Sequence, residues 1–142
     1  MYVQDAKRLT AAGARKAADT AIALAKEANI AITVAVVDAG GHVMLLERMD
    51  GGKFHSVHSA TTKAVCAASN KRSTGATGAV GQPLDAVHAL GLALAAGAER
   101  WTAMEGGCPI MAGSECIGGV GVAGGTWEFD ERAAKEAASV IK

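Results

Sequence analysis

The sequence predicts an α+β fold in which helices flank an antiparallel sheet, and three observations carry the prediction. Apolar residues recur at helical spacing over residues 10–28, then give way to a nearly continuous β-branched run, ITVAVVD, at 32–38. The turn Asp38-Ala39-Gly40-Gly41 joins that run to HVMLLERM at 42–49, which is the pattern of a hairpin. The remaining segments complete the order α-β-β-α-α-β-β-β-α, and strands that follow one another directly favour an antiparallel sheet over a doubly wound parallel one.

Each element has its own signal. In the first helix Thr10 is the cap, Leu9, Gly13, Ala17, Ala21 and Leu24 form the apolar stripe, and Asn29 is the stop. Asp50-Gly51-Gly52 closes the second strand. Residues 55–69, HSVHSATTKAVCAAS, read as a helix with Val57, Ala60, Ala64 and Ala67 or Ala68 inward. The polar, glycine-containing stretch 70–82 reads as a loop, and Pro83 suits the first turn of a helix over about 84–96. Three short strands are expected at 101–104, 108–112 and 116–122, giving a five-stranded sheet. Residues 129–141 form the last helix, with Asp130 or Glu131 near its N-terminus, where negative charge is favoured. No repeat or linker interrupts the chain, so residues 1–142 are read as a single domain.

Composition narrows the function. Half of the residues are hydrophobic but only 4% are aromatic, so the core must be built from small aliphatic side chains. Such a core buries little area per residue at about 25 cal/mol per Å², and association into a homo-oligomer would add burial. Fourteen basic residues balance fourteen acidic ones, which removes any general attraction for nucleic acid or an anionic membrane. No stretch approaches the roughly 20 apolar residues of a membrane span. The opening MYVQDAKRL has no apolar run behind its charges, so no secretory signal is expected. Cys66, Cys108 and Cys116 are odd in number and lack CxxC spacing, which suits free thiols in the cytoplasm.

Four groups of residues could carry chemistry. The run GGVGVAGG (118–125) has no GKS or GKT after it, so a P-loop is excluded. Its first half lies in a strand, where glycine marks close approach of a neighbouring element or a ligand; Gly124 and Gly125 could instead offer amides to an anion. His55 and His58 stand three apart and would share one helix face, either as an exposed pair or with one imidazole as an axial ligand to haem iron. Nothing nearby completes a zinc motif. His42 reads as a surface residue and His88 as half-buried and hydrogen-bonded. Among the charges beside turns, Arg48 suits carboxylate recognition, with an ion pair to Asp50 or Glu47 as the alternative. In MEGGCPI (104–110), Glu105 could be a general acid or base if buried, and Cys108 is best read as an inert thiol.

The stretches VAVVDAGGHVMLLERMDG, KA at 63–64 with RST at 72–74, GGCPI, and GGVGVAGG followed by Asp130 together resemble the GlcG/HbpS-like family. That family is often labelled haem-degrading and is also found as the C-terminal domain of PduO-type proteins. The resemblance spans about residues 8–140. It implies a profilin-like arrangement of five antiparallel strands with flanking helices, oligomer formation, and haem binding. It also implies small organic acids as a second ligand class, since members sit near genes for glycolate, propanediol and aromatic-compound breakdown. Some members use a histidine in the first helix, and residues 10–28 contain none. If haem binds, His55 or His58 is the available iron ligand, with Arg48, Lys63 or Arg72 placed for the propionates.

Two functions are therefore expected. The first is a haem-binding accessory protein. The alternative is an enzyme of isomerase, tautomerase or lyase type acting on a small carboxylate or oxo-acid. In that case Arg48 or Arg72 would grip the acid, amides near Gly106 and Gly107 or Gly124 and Gly125 would polarise it, and Glu105 or His58 would move a proton. A ligand-free oligomeric scaffold is the third reading.

Overall fold

The structure, a computed structural model, describes residues 1–142. The elements are α1 (Ala11–Glu27), β1 (Thr33–Asp38), β2 (Val43–Arg48), α2 (Ser56–Asn70), α3 (Ala86–Ala96), β3 (Gly107–Ala112), β4 (Glu115–Ala123) and α4 (Trp127–Ser139). The four strands form one antiparallel sheet in the order β2-β1-β4-β3. Thr10, Asp85 and Thr126 cap α1, α3 and α4, each side chain accepting a backbone N–H three residues on.

The sheet is covered on both faces, and strand alternation decides what each face meets. Val34 and Val36 of β1, with Val120 and Val122 of β4, pack in one core with the buried alanines of α1 and α4. Ala35 and Val37 point the other way, into a second core with Ala60, Ala64 and Ala68 of α2. Gly119 and Gly121 of β4 belong to this second face, whereas Gly118 alternates to the first. A Cβ on Gly119 would collide with the carbonyl of Ala64, and one on Gly121 with the carbonyl of Ala60. Helix α2 thus lies with its backbone against bare strand, and the glycine-rich run is first a packing device.

The expected fifth strand is absent, and the order is α-β-β-α-α-β-β-α. Residues 101–104 are irregular because their backbone donors and side chains are used locally. Trp101 N–H bonds back to the Gly97 carbonyl, Met104 N–H to the Thr102 hydroxyl, and the Trp101 indole is buried. Trp101 plugs a gap rather than joining the sheet. Small shifts also occur at helix ends: the last helix runs over Trp127–Ser139 rather than 129–141, because Thr126 is its cap.

Helix α3 departs most from expectation. None of its residues is buried, and Val87, Leu90 and Leu94 are 79%, 61% and 73% exposed. His88 is exposed as well, bonded only to its own cap, Asp85, at 2.9 Å. No other helix or strand of the chain packs against it.

Candidate functional site

Helix α2 presents His55, Ser59, Thr62 and Lys63 along one side at i, i+4, i+7 and i+8, the spacing that keeps residues on one face. That side borders a cavity of about 370 Å³. The opposite wall is the turn from β4 into α4, with Gly124, Gly125, Trp127 and Asp130, and the loop carrying Trp101, Thr102 and Met104 closes the third side. Gly124 takes φ +114°, and a Cβ there would come within 2.9 Å of the Ala31 carbonyl, so this turn requires glycine.

The floor is a buried ion pair. Lys63 Nζ donates to the Val122 carbonyl at 2.9 Å and to Asp130 Oδ2 at 3.4 Å, with the two side chains 7% and 3% exposed. Asp130 Oδ1 in turn accepts from the Gly125 N–H at 3.0 Å. The pair is longer than a good charge-assisted bond of about 2.7–2.9 Å. Desolvation pushes the Lys63 ammonium below its ordinary value, against the pull of Asp130 and of nearby Glu105. Desolvation likewise holds the Asp130 carboxyl above its ordinary value, against Lys63 and the Gly125 N–H.

The predicted site residues divide clearly. His55, His58, Lys63, Gly124 and Gly125 border this one cavity. Glu105 is half-buried behind it, close enough to act on Lys63 through charge. Gly106 and Gly107 pack against the back of the floor. A Cβ on Gly106 would lie 3.0 Å from Lys63 Nζ, and the Gly107 N–H is already taken by the Thr74 hydroxyl at 2.8 Å. Arg48 is exposed at the end of β2 and Arg72 follows the far end of α2, whose 15 residues span about 22 Å at 1.5 Å per residue, and neither borders the cavity. The ion pair weighed for Arg48 is also absent: Glu47 is held by Arg15 at 2.8 Å. The side chains missed from sequence are Asp130 as the partner of Lys63, and the two tryptophans. Asp130 was visible only as a helix-start acid, and nothing local marks a partner 67 residues away.

Neither cavity imidazole has an ionic partner. His55 meets Phe54 edge-on at 5.5 Å, and His58 is exposed. No group of three His, Cys, Asp or Glu side chains could hold a metal ion, so a chelated dication is disfavoured and a single axial imidazole is the arrangement available. A second hollow of about 740 Å³ lies across Trp101, beside Gly40, His42 and Arg100. Its one imidazole, His42, is engaged by Asp38 at 3.3 Å. The three cysteines are free, and burial raises the Cys66 and Cys108 thiols. No helix is long and apolar enough to cross a membrane.

Comparison with known proteins agrees with this architecture. The family model described as "Haem degrading protein HbpS-like" matches residues 9–139. An uncharacterized 15.0 kDa protein from the dhaT-dhaS intergenic region of Citrobacter freundii is 33% identical over 134 residues, covering 94% of this chain and 92% of that one. The crystal structure of Klebsiella pneumoniae protein ORFY superposes with a TM-score of 0.85 at 32% identity, covering 100% and 98% of the two chains. The crystal structure of a PduOC–haem complex superposes with a TM-score of 0.83 at 26% identity, covering 96% of each. By fold and by sequence over nearly its whole length, the chain belongs to the HbpS-like family of haem-degrading proteins.

Proposed function

We propose that this protein is a haem-binding accessory protein that holds the macrocycle at the mouth of the α2–α4 cavity. The observation that carries the reading is the convergence of His55 and His58 with Trp101, Trp127 and Met104 around one opening. A haem site needs an axial donor, an apolar face and a cation for the propionates. The imidazoles on the first turn of α2 supply the donor, and Trp127 and Met104, 61% and 42% exposed, supply apolar surface. Lys53, on the same rim, is the cation. Arg48 and Arg72 have no part here, since neither reaches the cavity. Kinship with a protein solved in complex with haem supports the assignment. Bound haem would supply a redox-active iron; the chain itself orients the ring and shields one face. Hemin titration should give a Soret shift saturating near one equivalent, weakened by about ten-fold or more in His58→Ala or His55→Ala, about 1.4 kcal/mol or more of lost binding. An unshifted Soret band at stoichiometric hemin would refute the proposal.

The same reading includes a homo-oligomer assembled through α3. Val87, Leu90 and Leu94 form an exposed apolar face on α3, and a core made of alanine and valine gains from added burial. Light scattering should show a multimer for the native chain, and Leu90→Glu with Leu94→Glu should reduce its mass. A native chain that runs as a monomer would contradict the assembly.

A further inference from the structure

We propose that Lys63 is a nucleophilic amine that condenses with a small carbonyl compound of the 2-oxo acid class admitted to the α2–α4 cavity. This is an activity separate from haem binding, though it uses the same hollow. Three geometric facts lead to it.

Lys63 is the one lysine of the chain that is buried, yet its side chain borders a cavity open to solvent. Its amine has two protein acceptors, the Val122 carbonyl and Asp130, which leaves one donor or a lone pair for whatever enters. Asp130 is locked by the Gly125 N–H, so its second oxygen is held against the amine as a proton acceptor. Fixed lysines kept from full charge by burial are the kind that form imines, and the direction of the Lys63 shift agrees. The cavity volume is at the lower end of the range of about 300–1,000 Å³ for small-molecule pockets. Ser59, Thr62 and Thr102 offer hydroxyls around the amine, and Lys53 stands at the rim, a setting suited to a carboxylate beside the carbonyl. The titratable groups acting on the amine are Asp130 from α4 and Glu105 from the loop before β3, while Lys53, His55 and His58 line other parts of the same cavity.

The step balances without any further reagent. The Asp130 carboxylate takes a proton from the Lys63 ammonium, and the freed lone pair attacks the carbonyl carbon. The C=O π electrons move to oxygen, which takes a proton from the attacking nitrogen. Asp130 then returns its proton to the resulting hydroxyl, which leaves as water as the C=N bond forms. The net change is ammonium plus carbonyl to iminium plus water.

Reductive trapping tests the proposal on the full-length protein. Pyruvate with cyanoborohydride at neutral pH, followed by peptide mass mapping, should label Lys63 in preference to exposed Lys53 or Lys71. Asp130→Asn should slow labelling of Lys63 without changing that of Lys53. Labelling spread over exposed lysines with Lys63 unmodified would overturn the proposal, and it needs no variant to be read. Prior saturation with hemin should protect Lys63. If hemin fails to bind while Lys63 is still labelled, the haem reading alone falls; if hemin binds and Lys63 stays unlabelled, this one falls.

Discussion

Asp130→Ala should cost about 3–5 kcal/mol of stability, because it strands a buried ammonium without its carboxylate. Lys63 is held in a site only 7% exposed, and Glu105, the other acid that acts on it, is no substitute within bonding distance. Lys63→Met should be nearly as damaging, since it leaves Asp130 buried with only the Gly125 N–H for company. The double variant Lys63→Met with Asp130→Asn removes both charges and keeps an acceptor for that N–H. It should recover most of the loss, giving a coupling of several kcal/mol in a denaturant double-mutant cycle. Additive losses would mean that the two groups do not form a unit.

The pair also sets a sign for pH dependence. Asp130 sits above its ordinary value of 3.8, so its contribution favours folding below 3.8 and is lost as pH rises through the raised value. Lys63 sits below 10.5, so its contribution is present above 10.5 and is lost as pH falls through the lowered value. Between those two limits the charged pair costs stability, and the double variant should gain most relative to wild type there.

The second large effect is expected at Gly121. Alanine there would place a methyl into the Ala60 carbonyl and 2.7 Å from the Ala64 backbone nitrogen. Both are main-chain atoms of α2, which cannot rotate away as a side chain could. The helix must lift off the sheet, opening the small core of Ala35, Val37, Ala60, Ala64 and Ala68. Overpacking of this kind costs about 1–3 kcal/mol, and a backbone obstacle puts Gly121→Ala at or beyond the upper end. Gly75→Ala is the control: it lies outside the helices and strands with only the Thr77 hydroxyl near, at 3.7 Å, and should change stability by no more than about 0.5 kcal/mol. Comparable denaturation midpoints for the two would contradict the account of the glycine-rich strand.

What the sequence made legible was local. The β-branched run and its glycine turn specify the β1–β2 hairpin because residues close in sequence do all of the work. Alternation of glycine with Val120 and Val122 similarly announces a strand with one bare face. The strand expected at 101–104 is absent because a short apolar stretch can plug a gap as readily as join a sheet, and only the Trp101 surroundings distinguish the two. The apolarity of α3 was equally visible, but apolarity says that a helix will be covered, not by which chain. The site was half legible for the same reason. His55 and Lys63 lie eight residues apart on one helix, so their shared side follows from its pitch, and all of His55, His58 and Lys63 reach the one cavity. The Lys63–Asp130 pairing depends on how α4 meets α2, a tertiary fact with no local signature. Arg48 and Arg72 were attractive by residue type, and helix length alone separates Arg72 from the imidazoles.

The central claim is that ligand enters between α2 and the turn into α4. Amide hydrogen exchange with and without one equivalent of hemin tests it most directly. The account predicts slowed exchange concentrated in residues 55–63 and 124–130, the two walls of that cavity. Protection centred instead on residues 39–42 and 96–100, around the neighbouring hollow beside His42, would contradict it.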